Sequence, residues 1–157
     1  MLCLSQTTGY TVLALSCLAD VREDRWVLAD SISQCTGIPR AYLSKILHSL
    51  RSSGLIHAKR GYRGGFALSR PAERISVMDV AMAVEGRAWL PKCLLGLSEC
   101  SDERACPTHE FWSEQRTQIE KKLSELSLRE VAEYEKKRGS QLLGCSCNDE
   151  DEPGPRG

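Results

Sequence analysis

Apolar and polar positions recur along this chain with helical periods broken by one short β-like interval, and the changes of period mark its elements. Over residues 7–19, Tyr10, Leu13, Ala14, Cys17 and Leu18 fall at helical spacing. A second helix is predicted at about 28–36, LADSISQCT, stopped by Gly37. In the next stretch, GIPRAYLSKILHSLRSSG, the residues Leu43, Ile46, Leu47 and Leu50 sit at i, i+3, i+4 and i+7. Pro39 can take the first helical position there and Gly54 can close the helix. Two helices joined by the short turn at 36–39 make a helix-turn-helix. The segment LIHAKRGYRGGFALS then reads as two short strands, 55–59 and 66–69, around Gly61, Gly64 and Gly65. A β-hairpin placed directly after the second helix is a wing.

Beyond Pro71 the pattern is helical again. Ser76-x-x-Asp79 is a capping-box start for VMDVAMAVEG, which Gly86 ends. Residues 87–108 show no period. From about 110 to 124 a charged helix carries Trp112, Ile119, Leu123 and Leu126 on one side. The 112/119/126 spacing suits a helix–helix contact between two subunits and suits packing within one domain equally well. Ser127-x-x-Glu130 starts a last short helix to about Arg138, and the Gly-, Pro- and acid-rich tail is expected to be disordered. The expected fold is mainly α with a small β-hairpin wing. A winged helix-turn-helix occupies 1–86, a cysteine-rich loop 87–109, a long charged helix open to either a dimerisation or an intradomain role, with a short terminal one, 110–138, and an acidic tail 139–157.

Composition narrows the setting. The chain has 157 residues, enough for one domain with a real core, and its 41% hydrophobic content contains no apolar run near the ~20 residues of a membrane span. The N-terminus lacks a basic n-region and is broken by Ser, Gln, Thr and Gly, so it reads as an amphipathic helix and not as a signal peptide. A cytoplasmic location is therefore expected. Net charge is zero, yet residues 1–75 hold ten Lys/Arg against five Asp/Glu, while 76–157 hold eleven against sixteen. Residues 31–72 carry seven basic side chains and no acid. A charge run is usually a solvated face, but so long a stretch without a carboxylate suggests a surface facing a polyanion. The second helix of a helix-turn-helix presents its N-terminal residues to base edges, here Arg40, Ala41, Ser44 and Lys45. Lys59, Arg60 and Arg63 would reach a groove or a phosphate from the wing. Double-stranded DNA is the expected partner.

No catalytic constellation is present: no phosphate-binding loop with its Lys-Ser/Thr, no nucleophile elbow and no His-Glu-x-x-His. What remains is KCLLGLSECSDERACPTHEFW at 92–112, with Cys93, Cys100, Cys106 and His109 spaced Cys-x₆-Cys-x₅-Cys-x₂-His. Disulfides, a metal site and simple burial are all open. A reducing compartment favours metal over disulfides. Cys17 lies on an apolar face and reads as core, whereas Cys3 and Cys35 read as structural or incidental. Cys145 and Cys147 form a C-x-C pair in the tail that can bind metal or oxidise, with incidental placement the plainer reading.

The order LSQTTGYTVLAL, IPRAYLSKILHSLRSSGLI, KRGYRGGFALSR, ISVMDVAMAVEG and then the cysteine loop resembles the IscR/NsrR (Rrf2) family of winged-helix transcription regulators over roughly 2–138. The resemblance implies a homodimer joined through the long helix and, in cluster-binding members, an iron–sulfur centre in the loop. By the same resemblance Cys93, Cys100 and Cys106 match the three thiolate ligands and His109 the fourth ligand. Arg60, Ala41 and Ser44 match DNA-contacting places. Some relatives complete the cluster with an acid from the partner's first helix; the matching position here is Gly9, with no carboxylate before Asp20. Three thiolates and an imidazole suit a 2Fe–2S centre, with 4Fe–4S as the alternative. Cys₃His is also a zinc set, although spacers of six and five residues are wide for zinc. The implied function is a regulator, repressor being the commoner mode, whose operator affinity follows an iron–sulfur cluster. The competing readings are a cluster-free thiol switch and a zinc-stabilised winged module that binds another protein.

Overall fold

The computed structural model describes residues 4–21, 25–97, 103 and 106–142, the last four of them by backbone alone. Helix α1 (Gln6–Ala19) starts at Ser5, whose hydroxyl accepts from the Thr8 amide. Helix α2 (Ala29–Thr36) ends at Gly37 in the left-handed conformation. Helix α3 (Arg40–Ser52) begins one residue later than the pattern predicts. Pro39 is extended and acts as the cap, and its carbonyl accepts from the Tyr42 and Leu43 amides at 2.9 Å. The predicted stripe of α3 is the buried one: Leu43, Ile46, Leu47 and Leu50. Each fully buried leucine or isoleucine contributes about 1.5–3 kcal/mol relative to exposure.

Strands β1 (Ile56–Lys59) and β2 (Gly65–Leu68) pair antiparallel, Ile56 opposite Leu68 and Lys59 opposite Gly65. Val27 adds a rung on the outer side of β2: its amide donates to the Phe66 carbonyl at 2.9 Å and its carbonyl accepts from the Phe66 amide at 2.8 Å. That approach explains Gly65, because a Cβ there would stand 2.6 Å from the Val27 carbonyl oxygen. A 3₁₀ turn (Ala72–Arg74) leads to α4 (Val77–Glu85), which carries the full capping box predicted from Ser76 and Asp79.

Helix α5 (His109–Glu125) lies against α4, and α6 (Leu128–Leu142) returns along α1. Backbone bonds from Leu128 to the Ile75 carbonyl, 2.7 Å, and from Val77 to the Leu126 carbonyl, 2.9 Å, tie the α5–α6 junction to the start of α4. Leu128 and Ala132 thereby join the core built by Ala14, Leu15, Leu18, Ile32, Leu47, Ile75 and Val80. The Ser127–Glu130 box is formed, with the Ser127 amide donating to the Glu130 carboxylate at 2.8 Å. The last helix passes the expected end near Arg138 and runs to Leu142. A single glycine, Gly139, costs a helix only about 1 kcal/mol and does not stop it. Residues 143–157, including Cys145 and Cys147, and also Cys3, lie outside the described residues.

Candidate nucleic-acid interface and cysteine loop

Because the apolar stripe of α3 faces inward, its opposite face is set by elimination. Arg40, Ala41, Ser44 and Lys45 are all exposed, as the sequence pattern predicts. Arg40 is not loose: its Nε donates to Asp30 Oδ1 of α2 at 2.5 Å, and its Nη1 donates to Ser44 Oγ at 2.9 Å. Ser44 Oγ in turn donates to the Arg40 carbonyl at 3.0 Å. The acid-free stretch begins one residue after Asp30, so the sequence does not reveal this pairing across the turn. Half-exposed ion pairs of this kind add little stability. The physical effect is to aim the guanidinium.

Arg60 and Arg63 stand exposed at the wing, and Lys59 places its ammonium 5.9 Å from the centre of the Trp26 ring. Trp26 escapes the sequence pattern because it lies in the irregular lead-in to α2.

A polar chain links α3 to the far end of α4. Glu85, the last residue of α4, accepts from the Ser5 amide at 2.8 Å and from the Thr8 hydroxyl. Thr8 is 0% exposed. Hydrogen bonds from the Ser5 side chain, the Thr8 hydroxyl and the Ser5 amide hold the Glu85 carboxyl below its ordinary 4.5. One residue away, Thr7 Oγ1 and the Tyr42 hydroxyl of α3 are 2.6 Å apart, and the Tyr10 and Tyr42 rings meet edge to face at 5.7 Å. Gly9 is an exposed glycine in α1 whose Cβ direction is open space.

The cysteine loop starts directly after Gly86. Cys93 is 5% exposed, and its carbonyl accepts from Gly96 at 3.1 Å. At the other end Cys106 Sγ lies 3.3 Å from Thr108 Oγ1, and the Cys106 carbonyl accepts from the His109 amide at 3.0 Å. This turn puts Cys106 and half-buried His109 together at the entrance of α5. Cys100 lies outside the described residues, and among the described residues no group of three metal-ligand side chains gathers. The donor types present, thiol and imidazole, fit iron–sulfur or zinc chemistry.

Of the α5 stripe, Trp112 is 4% exposed, and its indole donates to the Pro91 carbonyl at 2.9 Å, so it seats the loop inside its own chain. Ile119, Leu123 and Leu126 are half-buried, and Phe111 is 57% exposed. Among the described residues no helix is long and apolar enough to cross a membrane.

Comparison with known proteins agrees with this layout. Residues 4–134 match the Rrf2 family model, described as an iron-dependent transcriptional regulator. A regulator named IscR from Xenorhabdus nematophila is 32% identical over 128 residues, covering 82% of this chain and 77% of its own. The solved structure of CymR, the global cysteine regulator of B. subtilis, superposes with a TM-score of 0.70 at 24% identity, covering 85% of this chain and 98% of that one. Staphylococcus aureus CymR in an oxidized form gives 0.65 at 27% identity, covering 84% and 97%.

Proposed function

The chain belongs to the Rrf2 family of transcriptional regulators, and from that premise we propose a homodimeric operator-binding repressor whose affinity is set by an iron–sulfur cluster on Cys93, Cys100, Cys106 and His109. The family is one of regulators and not of enzymes. The observation that carries the DNA reading is the row of exposed Arg40, Ala41, Ser44 and Lys45 on α3, followed in the chain by an equally exposed basic hairpin. Arg40 and Lys45 are suited to guanine, Ser44 to several acceptors, and Ala41 to a thymine methyl.

When bound, the cluster supplies a centre that reacts with oxidants or nitric oxide. The chain's own residues give the response a route. A shift in the loop after Gly86 moves the end of α4, and Glu85 there holds the N-terminus of α1 through Ser5 and Thr8. Thr7 and Tyr10 of that same turn touch Tyr42 of the recognition helix. Two arrangements of this chain of contacts set two spacings of the paired α3 helices, which is what a two-half-site operator measures.

Full-length protein purified without oxygen tests the proposal. We expect a brown protein with iron and acid-labile sulfide in similar amounts, and colourless Cys93→Ser, Cys100→Ser and Cys106→Ser variants. In His109→Ala the cluster forms but is more labile, while Cys145→Ser and Cys147→Ser keep the colour. Stoichiometric zinc in colourless protein would overturn the sensing proposal. The likeness to the oxidized S. aureus CymR favours one alternative, a thiol switch. That reading requires colourless, zinc-free protein whose duplex affinity changes reversibly between peroxide and dithiothreitol.

A further inference from the structure

We propose that Tyr62, paired with Arg63, reads the DNA minor groove at the wing tip and selects A·T base pairs there. The inference rests on the reading of the chain as a duplex-binding regulator, and adds to it a specificity element outside the recognition helix.

The tip is rigid. Between β1 and β2 the Gly64 amide donates to the Gly61 carbonyl at 2.9 Å, closing a tight turn. A Cβ on Gly64 would collide with the Lys59 carbonyl oxygen and stand 2.8 Å from that of Gly61. The backbone therefore packs on itself there, and the turn leaves Tyr62 and Arg63 exposed at its tip. Arg63 has φ 56, the one positive value on a non-glycine residue among the described residues. Glycine would occupy that conformation without steric cost, so a long cationic side chain is held there against the local preference. Strain of this kind concentrates where a protein binds or reacts.

Tyr62 is 87% exposed, the most exposed of the large apolar side chains described, and touches none of the core. The Arg63 guanidinium lies 5.5 Å from the centre of its ring. Exposed cation–π pairs stabilise a fold only slightly. What the pair does supply is a flat ring with few torsions to freeze and a cation already placed beside it. Lys59 and Arg60 adjoin it, and no carboxylate occurs anywhere in residues 31–72.

The ligand chemistry follows from dimensions. The minor groove is about 6 Å wide and about 7.5 Å deep, which admits a single ring edge-on but not a helix. Its floor at A·T pairs presents only acceptors, adenine N3 and thymine O2, to which a tyrosine hydroxyl and a guanidinium can donate. At G·C pairs the guanine 2-amino group fills that space with a competing donor. Narrow A·T-rich grooves also carry enhanced negative potential, which draws arginine.

The test uses full-length protein and a duplex enriched from a randomised library by the wild type, with the wing-side flank located by hydroxyl-radical footprinting. Affinity is then measured on that duplex and on copies in which flanking A·T pairs become G·C or inosine·C. Inosine·C keeps a minor groove without the 2-amino group while showing the major-groove edge of G·C. We expect the wild type to bind the G·C flank about tenfold more weakly and to recover on inosine·C. Tyr62→Ala should treat all three flanks alike with an unchanged thermal midpoint, and Tyr62→Phe should fall between. Arg63→Gly should raise the midpoint by releasing the positive φ, yet lose flank discrimination. Full discrimination retained by Tyr62→Ala, or no recovery of the wild type on inosine·C, overturns the inference while leaving the regulator reading intact. Failure of the wild type to enrich any duplex overturns both.

Discussion

Thr8→Val tests the contact between α4 and α1 on which the proposed coupling depends. Valine keeps the shape and β-branching of threonine at a position that is 0% exposed, so helix propensity and packing are nearly unchanged. What is lost is the hydrogen bond from the hydroxyl to the Glu85 carboxylate. A bond to a charged acceptor contributes about 1.5–3 kcal/mol, and a buried methyl in place of the hydroxyl returns about 0.8 kcal/mol, for a net loss of roughly 1–2 kcal/mol. For a chain of this length each kcal/mol moves the midpoint by about 2–4 °C, so thermal unfolding at pH 7 should fall by roughly 2–8 °C. The pH dependence has a definite sign. Glu85 titrates below its ordinary 4.5 because Ser5 and Thr8 donate to it, so its contribution is complete above 4.5 and is lost as pH falls through the folded value. The gap between wild type and Thr8→Val should therefore be constant from neutral pH down to about 4.5 and narrow on further acidification. Equal midpoints at pH 7, or a gap that stays constant through the acid limb, would refute the reasoning.

Other consequences are as direct. Arg60→Ala should weaken duplex binding without shifting the thermal midpoint and lower the slope of log affinity against log salt by about one phosphate contact, and an unchanged slope would remove Arg60 from the interface. Asp30→Asn should strengthen duplex binding in low-salt titrations, because it deletes the carboxylate 2.5 Å from Arg40 on the α3 side; weaker binding would mean that aiming Arg40 outweighs the charge. Ile119→Glu should yield monomers in sedimentation and lose operator binding together, whereas a stable dimer would place the half-buried part of α5 within its own subunit. Trp112→Phe, which removes the indole donor to Pro91, should lower stability by about 1 kcal/mol in denaturant titration, and an unchanged midpoint concentration would show that the loop does not depend on that bond.

Local interactions were legible in the sequence. The α3 stripe, the Gly37 stop and the two capping boxes at Ser76–Asp79 and Ser127–Glu130 all join residues within one or two turns. Periodicity and short-range hydrogen bonding determine them whatever the rest of the chain does. The hairpin and its basic tip follow for the same reason, and so does the exposure of Arg40, Ala41, Ser44 and Lys45 once the opposite face is apolar. The order of winged unit, cysteine spacing and charged helix was enough to place the family. Contacts made when distant segments return were not legible. Glu85 reaches Ser5 and Thr8 across about eighty residues, Val27 adds a rung to β2, Trp112 turns inward onto Pro91, and α6 closes on α1. Asp30 and Arg40 are close in sequence, yet they meet only because the helix-turn-helix angle brings α2 under the first turn of α3. A carboxylate, an indole N–H or a lone valine bears the same local signal whether it ends in solvent or against another element. Its partner is chosen by the packing of whole helices, and only the tertiary structure carries that.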